Sequence, residues 1–257
     1  MRGLVYWPLF GLLLPQAIWL RRTAPRFAPA AGATHGLISH PSHPQAAPIR
    51  LLALGDSIIA GVGAGQLQQA LVGQTAQALS ACLQRPVDWV ACGRSGYAAA
   101  AIRNKLLPKA PSQPFDVVLV STGVNDILSG CSGRQWRAEL QALHAAIQQH
   151  SPQALTVFCG VPPMGQFPRV PQPLRALFGA RAMYFNRLLA QQVSQWPTAE
   201  QVSIKHSLSA DLFADDGFHP SEQGYARYGA RVAEAMAGRL KNDRAQAVVS
   251  AASLGND

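Results

Sequence analysis

Acidic residues are scarce in this chain: 13 aspartates and glutamates stand against 22 lysines and arginines over 257 residues, a formal net charge of +9. Residues 1 to 50 hold no acid and five arginines (Arg2, Arg21, Arg22, Arg26 and Arg50), which supply +5 of that excess. The remainder lacks a lysine-rich run with interleaved aromatics, so the basic balance does not describe a nucleic-acid groove. No C-x-x-C spacing links Cys82, Cys92, Cys131 and Cys159. They read as small core residues, and their even number leaves disulfide pairing open. The glycine-rich Gly61-Val62-Gly63-Ala64-Gly65 has Gln66 where a dinucleotide-binding G-x-G-x-x-G would place its third glycine, and no Gly-Lys-Ser/Thr marks a P-loop. Flexible glycines there are expected to let a loop yield to substrate. A G-x-S-x-G elbow is also missing, which argues against the ordinary α/β-hydrolase arrangement. No internal repeat is visible.

What the chain does have begins with an uncharged stretch, residues 3 to 20, followed by Arg21-Arg22. Eighteen uncharged residues would just span a bilayer core as a helix, although Pro8, Pro15 and Gln16 weaken that reading. A membrane anchor or interfacial segment, a cleaved signal peptide with a distant Ala28-Pro29-Ala30 site, and a soluble extension all remain open. Three arginines after the stretch and one before it lean toward placing the rest of the chain on the cytoplasmic face, with a periplasmic or secreted location still open. Residues 23 to 48 are rich in proline and alanine, without hydrophobic periodicity, and read as an extended linker in which His35, His40 and His43 are solvated. The folded domain is expected over 49 to 241, with a frayed polar tail over 242 to 257.

With 48% hydrophobic residues the chain can bury a sizeable core. Short apolar runs at 50–54, 87–92, 117–122, 154–161 and 201–204 alternate with segments of helical period. Those segments are marked by Leu67, Leu71, Ala78 and Cys82; by Trp136, Leu140, Leu143 and Ile147; by Phe185, Leu189, Val193 and Trp196; and by Tyr225, Val232, Met236 and Leu240. Strands alternating with helices predict βαβ units, and runs such as Val117-Val118-Leu119-Val120 are apolar on both faces, as covered parallel strands are. The expected fold is a three-layer α/β/α sandwich with a mainly parallel sheet of about five strands.

The residues able to carry chemistry follow those strands. Leu51-Leu52-Ala53-Leu54-Gly55-Asp56-Ser57 leaves a serine at the carboxyl edge of the first run, and Gly123-Val124-Asn125-Asp126 follows the third. Asp216-Gly217-Phe218-His219-Pro220 precedes the last helix. Serine needs a base within hydrogen-bond reach and donors aimed at a developing oxyanion. His219 supplies an imidazole, and Asp216, three residues earlier, has the spacing to hold one ring nitrogen so that the other faces Ser57. Asn125 offers an uncharged amide donor suited to an oxyanion hole. Asp56 and Asp126 read as loop hydrogen-bonding residues. Residues 162 to 173, with five prolines, read either as a wall carrying Met164 and Phe167 toward an acyl chain or as a plain surface loop.

Taken together, these blocks resemble the SGNH/GDSL hydrolase family of esterases and lipases over residues 49 to about 240. Ala91-Cys92-Gly93-Arg94-Ser95-Gly96 is similar to the family segment that supplies a backbone N–H. The resemblance puts that donor at Gly96, with Gly93 easing the turn; a shifted match reverses the two. Two departures are Ile58 where a leucine is usual and Ala91 where an asparagine is often found. The resemblance implies a serine esterase acting on small-molecule acyl esters through a Ser57–His219–Asp216 triad. Its oxyanion hole would be made by Ser57, Gly96 and Asn125, with no metal or organic cofactor. With the uncharged amino-terminal stretch read as membrane-associated, a lysophospholipid or other lipid ester is one expected substrate, and small acyl esters, thioesters and O-acetylated sugars stay open. An acyltransferase, a deacetylase of acylated glycans, or a noncatalytic membrane-tethered binding domain are the alternatives on the same fold.

Overall fold

The computed structural model describes residues 3–23, 27–204 and 208–254. In chain order the elements are α1 (Gly3–Leu12), α2 (Leu14–Thr23), β1 (His35–Ile38), β2 (Ile49–Gly55), α3 (Leu71–Leu83) and β3 (Val87–Gly93), followed by α4 (Ala99–Ala101) and β4 (Val117–Ser121). Then come α5 (Val124–Leu128), α6 (Gly133–His150), β5 (Leu155–Cys159), α7 (Leu174–Val193), β6 (Ala199–Val202) and α8 (Glu222–Leu254).

β2 through β6 form a parallel sheet, each joined to the next by a crossover that contains helix, and β4 and β5 are buried along their whole length, as parallel strands covered on both faces are. Leu51 and Ala53 pack with Leu71, Leu79, Tyr225, Val232 and Met236 from α3 and α8. Leu52 and Leu54 point the other way, into Trp136, Leu140, Ile147, Phe178 and Phe185 from α6 and α7. One strand thus feeds two cores by its period of two. Helix α6 starts on a capping box, with Gln135 N–H donating to Ser132 Oγ and Ser132 N–H donating to Gln135 Oε1.

The strand order is β1-β3-β2-β4-β5-β6. From β2 the chain moves outward to β3, then returns to place β4 on the opposite side of β2. The carboxyl end of β2 is therefore a topological switch point, where open α/β sheets form crevices. The register sharpens this: Gly55 pairs with both Gly93 and Ser121, and Ser121 with Cys159. Four strands stop at one level, and the loops that leave them share a rim.

Several expectations are corrected. The stretch read as linker contains β1, which pairs antiparallel with β3, placing His35 opposite Val90, and adds a sixth strand to the expected sheet of about five. Two residues of β1 are exposed and two half-buried, and Gly36 lies against the Trp89 ring, where a Cβ would sit 3.0 Å away. Pairing and one close contact hold this edge strand, so it carries no apolar period. Helix α7 begins at Leu174, well before Phe185, and α8 continues through the expected polar tail to Leu254. The uncharged amino-terminal stretch forms two ten-residue helices, and no helix among the described residues is long and apolar enough to cross a membrane. Met164 is fully buried in the core, so it does not reach toward a substrate. All four cysteines are free thiols.

Candidate active site

Beyond Gly55 the chain turns sharply, with Ala60 N–H donating to Asp56 O and Val62 N–H to Ser57 O, both at 3.0 Å. This turn presents Ser57 at the carboxyl edge of the central strand. The glycines that follow are held by packing. Gly63 has φ +101°, and a Cβ there would lie 2.3 Å from the carbonyl oxygen of Pro220. The serine loop and the histidine loop can close on one another only over a residue with no side chain, which corrects the expectation of a yielding glycine loop.

The histidine loop is a narrow turn between the bridged residues Phe213 and Pro220, with Ala214 N–H donating to His219 O at 2.9 Å. Inside it the Asp216 carboxylate is 2% exposed. Its Oδ1 accepts from the Phe218 and His219 amides at 2.9 Å each, and its Oδ2 lies 2.6 Å from His219 Nδ1. Burial pushes the Asp216 pKa up, but the His219 ring and the two amides outweigh it and hold the carboxyl below its usual 3.8. An ionised carboxylate only accepts, so it keeps the proton on Nδ1 and leaves Nε2 as the acceptor for the Ser57 hydroxyl, 2.9 Å away. The adjacent Asp215 is exposed to solvent.

Asn125 stands in the first turn of α5, after β4. Its Nδ2 donates to Tyr97 O at 3.1 Å and, more weakly, to Asp56 Oδ2 at 3.4 Å. Asn125 is thereby tied to the neighbours of both Ser57 and Gly96. Gly93 packs tightly, since a Cβ would meet Ala60 N at 2.3 Å, whereas Gly96 has φ +83° and open space around it. Among the described residues neither the Ser57 nor the Gly96 amide has a protein acceptor. Ser57, His219, Asp216, Asn125 and Gly96 therefore come from four separate segments onto one rim.

Two further carboxylates stiffen it. Asp126 accepts from the Ala99 amide at 3.2 Å and from Thr122 Oγ1 at 3.1 Å, joining the start of α4 to the loop after β4. Asp56, 2% exposed, accepts from Ile58 N–H at 3.1 Å and from Ser121 Oγ at 3.2 Å. Burial, only partly offset by those bonds and by His219, pushes the Asp56 pKa up to about 6. The Tyr97 carbonyl and Ser121 carry no sequence signal, because what each contributes depends on a neighbouring strand or loop. Among the described residues no cluster of histidine, cysteine and carboxylate groups is disposed to hold a metal ion.

Residues 53–227 match the model of the GDSL-like lipase/acylhydrolase family. The chain belongs to that family. As a GDSL-like acylhydrolase it is an enzyme that cleaves esters, in the indicated class of carboxylic ester hydrolases. Solved structures agree in fold. The lipase Lip_vut3 from a goat rumen metagenome superposes with a TM-score of 0.60 at 19% identity, covering 74% of this chain and 98% of its own. The psychrotrophic esterase EstA from Pseudoalteromonas sp. gives 0.59 at 18% identity, covering 75% and 98%. A carbohydrate esterase family 3 protein from Talaromyces cellulolyticus gives 0.55 at 17% identity, covering 76% and 99%. No curated protein sequence matches the chain significantly.

This acylhydrolase also has an apolar cavity of about 70 Å³ beside the histidine loop. Ile58, Phe167, Leu212, Phe213, Phe218 and Pro220 line it, with Arg227 and Arg231 among the other lining residues. Phe167 stacks edge-on against both Phe213 and Phe218. Of the two apolar residues expected on a substrate wall, Phe167 lies at a cavity and Met164 does not. Ser57 and His219 do not line it themselves, but their chain neighbours Ile58, Phe218 and Pro220 do.

Proposed function

We propose that this enzyme is a serine esterase in which Ser57 is the nucleophile, His219 the general base and acid, and Asp216 the residue that orients the imidazole. The observation that carries this reading is the continuous line of contacts from Ser57 Oγ through His219 to Asp216, at 2.9 and 2.6 Å. As Ser57 Oγ attacks the acyl carbonyl, its proton passes to Nε2. Asp216 stays ionised and stabilises the imidazolium that forms. The oxyanion of the tetrahedral intermediate is received by the free Ser57 and Gly96 amides and the Asn125 amide. Nε2 then returns the proton to the leaving alkoxide, and the acyl group remains on Ser57. Water enters, His219 takes its proton, and a second tetrahedral intermediate collapses to acid and free enzyme.

The apolar cavity beside Ile58 and Phe218 favours an ester with an extended hydrocarbon part, such as a lysophospholipid or another lipid ester, over a small acetyl ester. The test is labelling with a fluorophosphonate, which reacts only with an activated serine. Wild type should label and hydrolyse p-nitrophenyl esters with a preference for chains longer than acetyl. Ser57→Ala should do neither, its kcat falling on the order of 10⁶-fold. Equal labelling of both proteins would remove Ser57 as nucleophile, and activity confined to the acetyl ester would remove the lipid reading.

A further inference from the structure

The amino-terminal helices have two apolar sides, and the fold uses one. Phe10 packs against Phe178 of α7 with ring centroids 6.3 Å apart and planes tilted by 38°, and Leu20 is buried in the same core as Trp136 and Phe185. Gln16 fastens α2 to the domain by donating to Gln172 O at 2.8 Å and accepting from Leu174 N–H at 3.1 Å. Phe10, Leu13, Ala17 and Leu20 thus face the domain. On the other side Leu9, Leu12, Leu14, Ile18 and Trp19 are all exposed, Leu12 to 77% and Trp19 to 55%. A helix that is apolar all round needs a second apolar neighbour. No helix among the described residues is long and apolar enough to cross a bilayer, and one side of α1 and α2 is already packed on the domain, so a lipid neighbour would be met side-on.

We infer that α1 and α2 form an interfacial docking element that lays this face on an anionic lipid surface, the five apolar side chains entering the headgroup boundary. Charge selects this occupant. Arg22 is exposed at the end of the face, Arg169 is exposed and donates to Thr23 O at 3.0 Å, and no acid precedes Asp56 in the sequence. An isologous contact with a second copy would set like arginines near one another with no carboxylate in the segment to answer them. An indole at the edge of an apolar patch suits the boundary between headgroups and acyl chains. The element also reaches the catalytic rim. Arg169 packs over Gly217, where a Cβ would lie 3.1 Å from Arg169 Cβ, so one residue separates the end of α2 from the turn between Asp216 and His219. That delivery of a lipid ester from the surface rests on the proposed function; the docking itself does not.

Flotation of the full chain with vesicles tests it, using phosphatidylcholine with and without phosphatidylglycerol. Wild type should float with the anionic vesicles and far less with the neutral ones. Leu12→Glu/Ile18→Glu/Trp19→Glu should lose flotation by on the order of 100-fold, and Arg22→Glu by on the order of tenfold. All should keep wild-type hydrolysis of a soluble short-chain ester. Leu12→Glu alone, at the most exposed position, should weaken flotation even if the triple variant does not fold. Ser57→Ala should float like wild type while hydrolysing nothing, which separates the docking claim from the catalytic one. Wild type remaining unbound with both vesicles would overturn the inference. So would a dimer in light scattering that Leu12→Glu dissolves, or apolar-face variants that float normally.

Discussion

The serine loop and the histidine loop each bury an aspartate to the same depth, 2% exposed, and the two carboxyls are driven in opposite directions. Asp216 collects two amides and an imidazole at 2.6 to 2.9 Å and is held below 3.8. Asp56 collects an amide, a hydroxyl and a side-chain amide at 3.1 to 3.4 Å, and its pKa rises to about 6. Burial penalises a carboxylate in both places. What differs is how much protein encloses each carboxyl, which weighs most on Asp56, together with how short the donor contacts are and whether one donor can itself become a cation. In the proposed mechanism the histidine loop keeps a negative charge beside a ring that turns positive. The serine loop uses its carboxyl as an acceptor that ties Ser121 and Asn125 to the turn carrying Ser57.

That contrast is broken most directly at Asp216. Asp216→Asn should leave the fold intact, since the turn amides still find an acceptor, yet lower kcat by about 10⁴-fold through loss of the Nδ1–H tautomer. Rates with p-nitrophenyl esters, taken with circular dichroism, check it. A kcat within tenfold of wild type would mean that His219 is oriented without Asp216. Next in size is Asn125→Ala, for which kcat should fall by about 10²–10³-fold with KM nearly unchanged, because the lost donor acts on the oxyanion rather than the ground-state ester. A rise in KM at constant kcat would move Asn125 out of the oxyanion hole.

How much of this could be read beforehand follows the same division between local and assembled features. The inner strands were legible because burial on both faces leaves an uninterrupted apolar run, as at Val117–Val120. Asp216 and His219 were legible because their contact spans three residues and needs no distant partner. The edge strand β1 was not, since its place depends on Trp89 and β3, which the sequence around His35 does not announce. The length of α7 was hidden for a similar reason: Leu174, Leu177 and Phe178 bury their side chains at its start, behind a proline-rich approach. Met164 sits among prolines in a stretch that read either as a substrate wall or as a plain surface loop, and the core claimed it instead. The cavity gathers Phe167, Phe213 and Phe218 from two loops, and no periodic pattern marks such a meeting. Gly63 shows the reverse error: a glycine read as freedom is there because Pro220 leaves no room.

The smallest effect expected concerns Asp56, and its sign is the sharpest test of the contrast. A carboxyl whose folded pKa is about 6, against the usual 3.8, gives stability that is complete below pH 3.8 and is lost as pH rises through 6. The loss is roughly 3 kcal/mol, from about two pK units at 1.36 kcal/mol each. Asp216 runs the other way, its contribution present above pH 3.8 and lost as pH falls through its lowered value. The two windows therefore meet near pH 4 without overlapping. Urea unfolding of wild type and Asp56→Asn at pH 4 and pH 7 isolates the first window, because Asp126 and Glu200, whose pKa values burial also raises, are common to both proteins. Between those pH values wild type should lose roughly 2 kcal/mol more than the variant, the rest of the loss lying below pH 4. The variant's kcat should fall less than that of Asn125→Ala, since an asparagine at 56 still offers Asn125 an acceptor. Equal slopes for the two proteins would mean that Asp56 is as well solvated by its donors as Asp216, and the division of labour between the two loops would be gone.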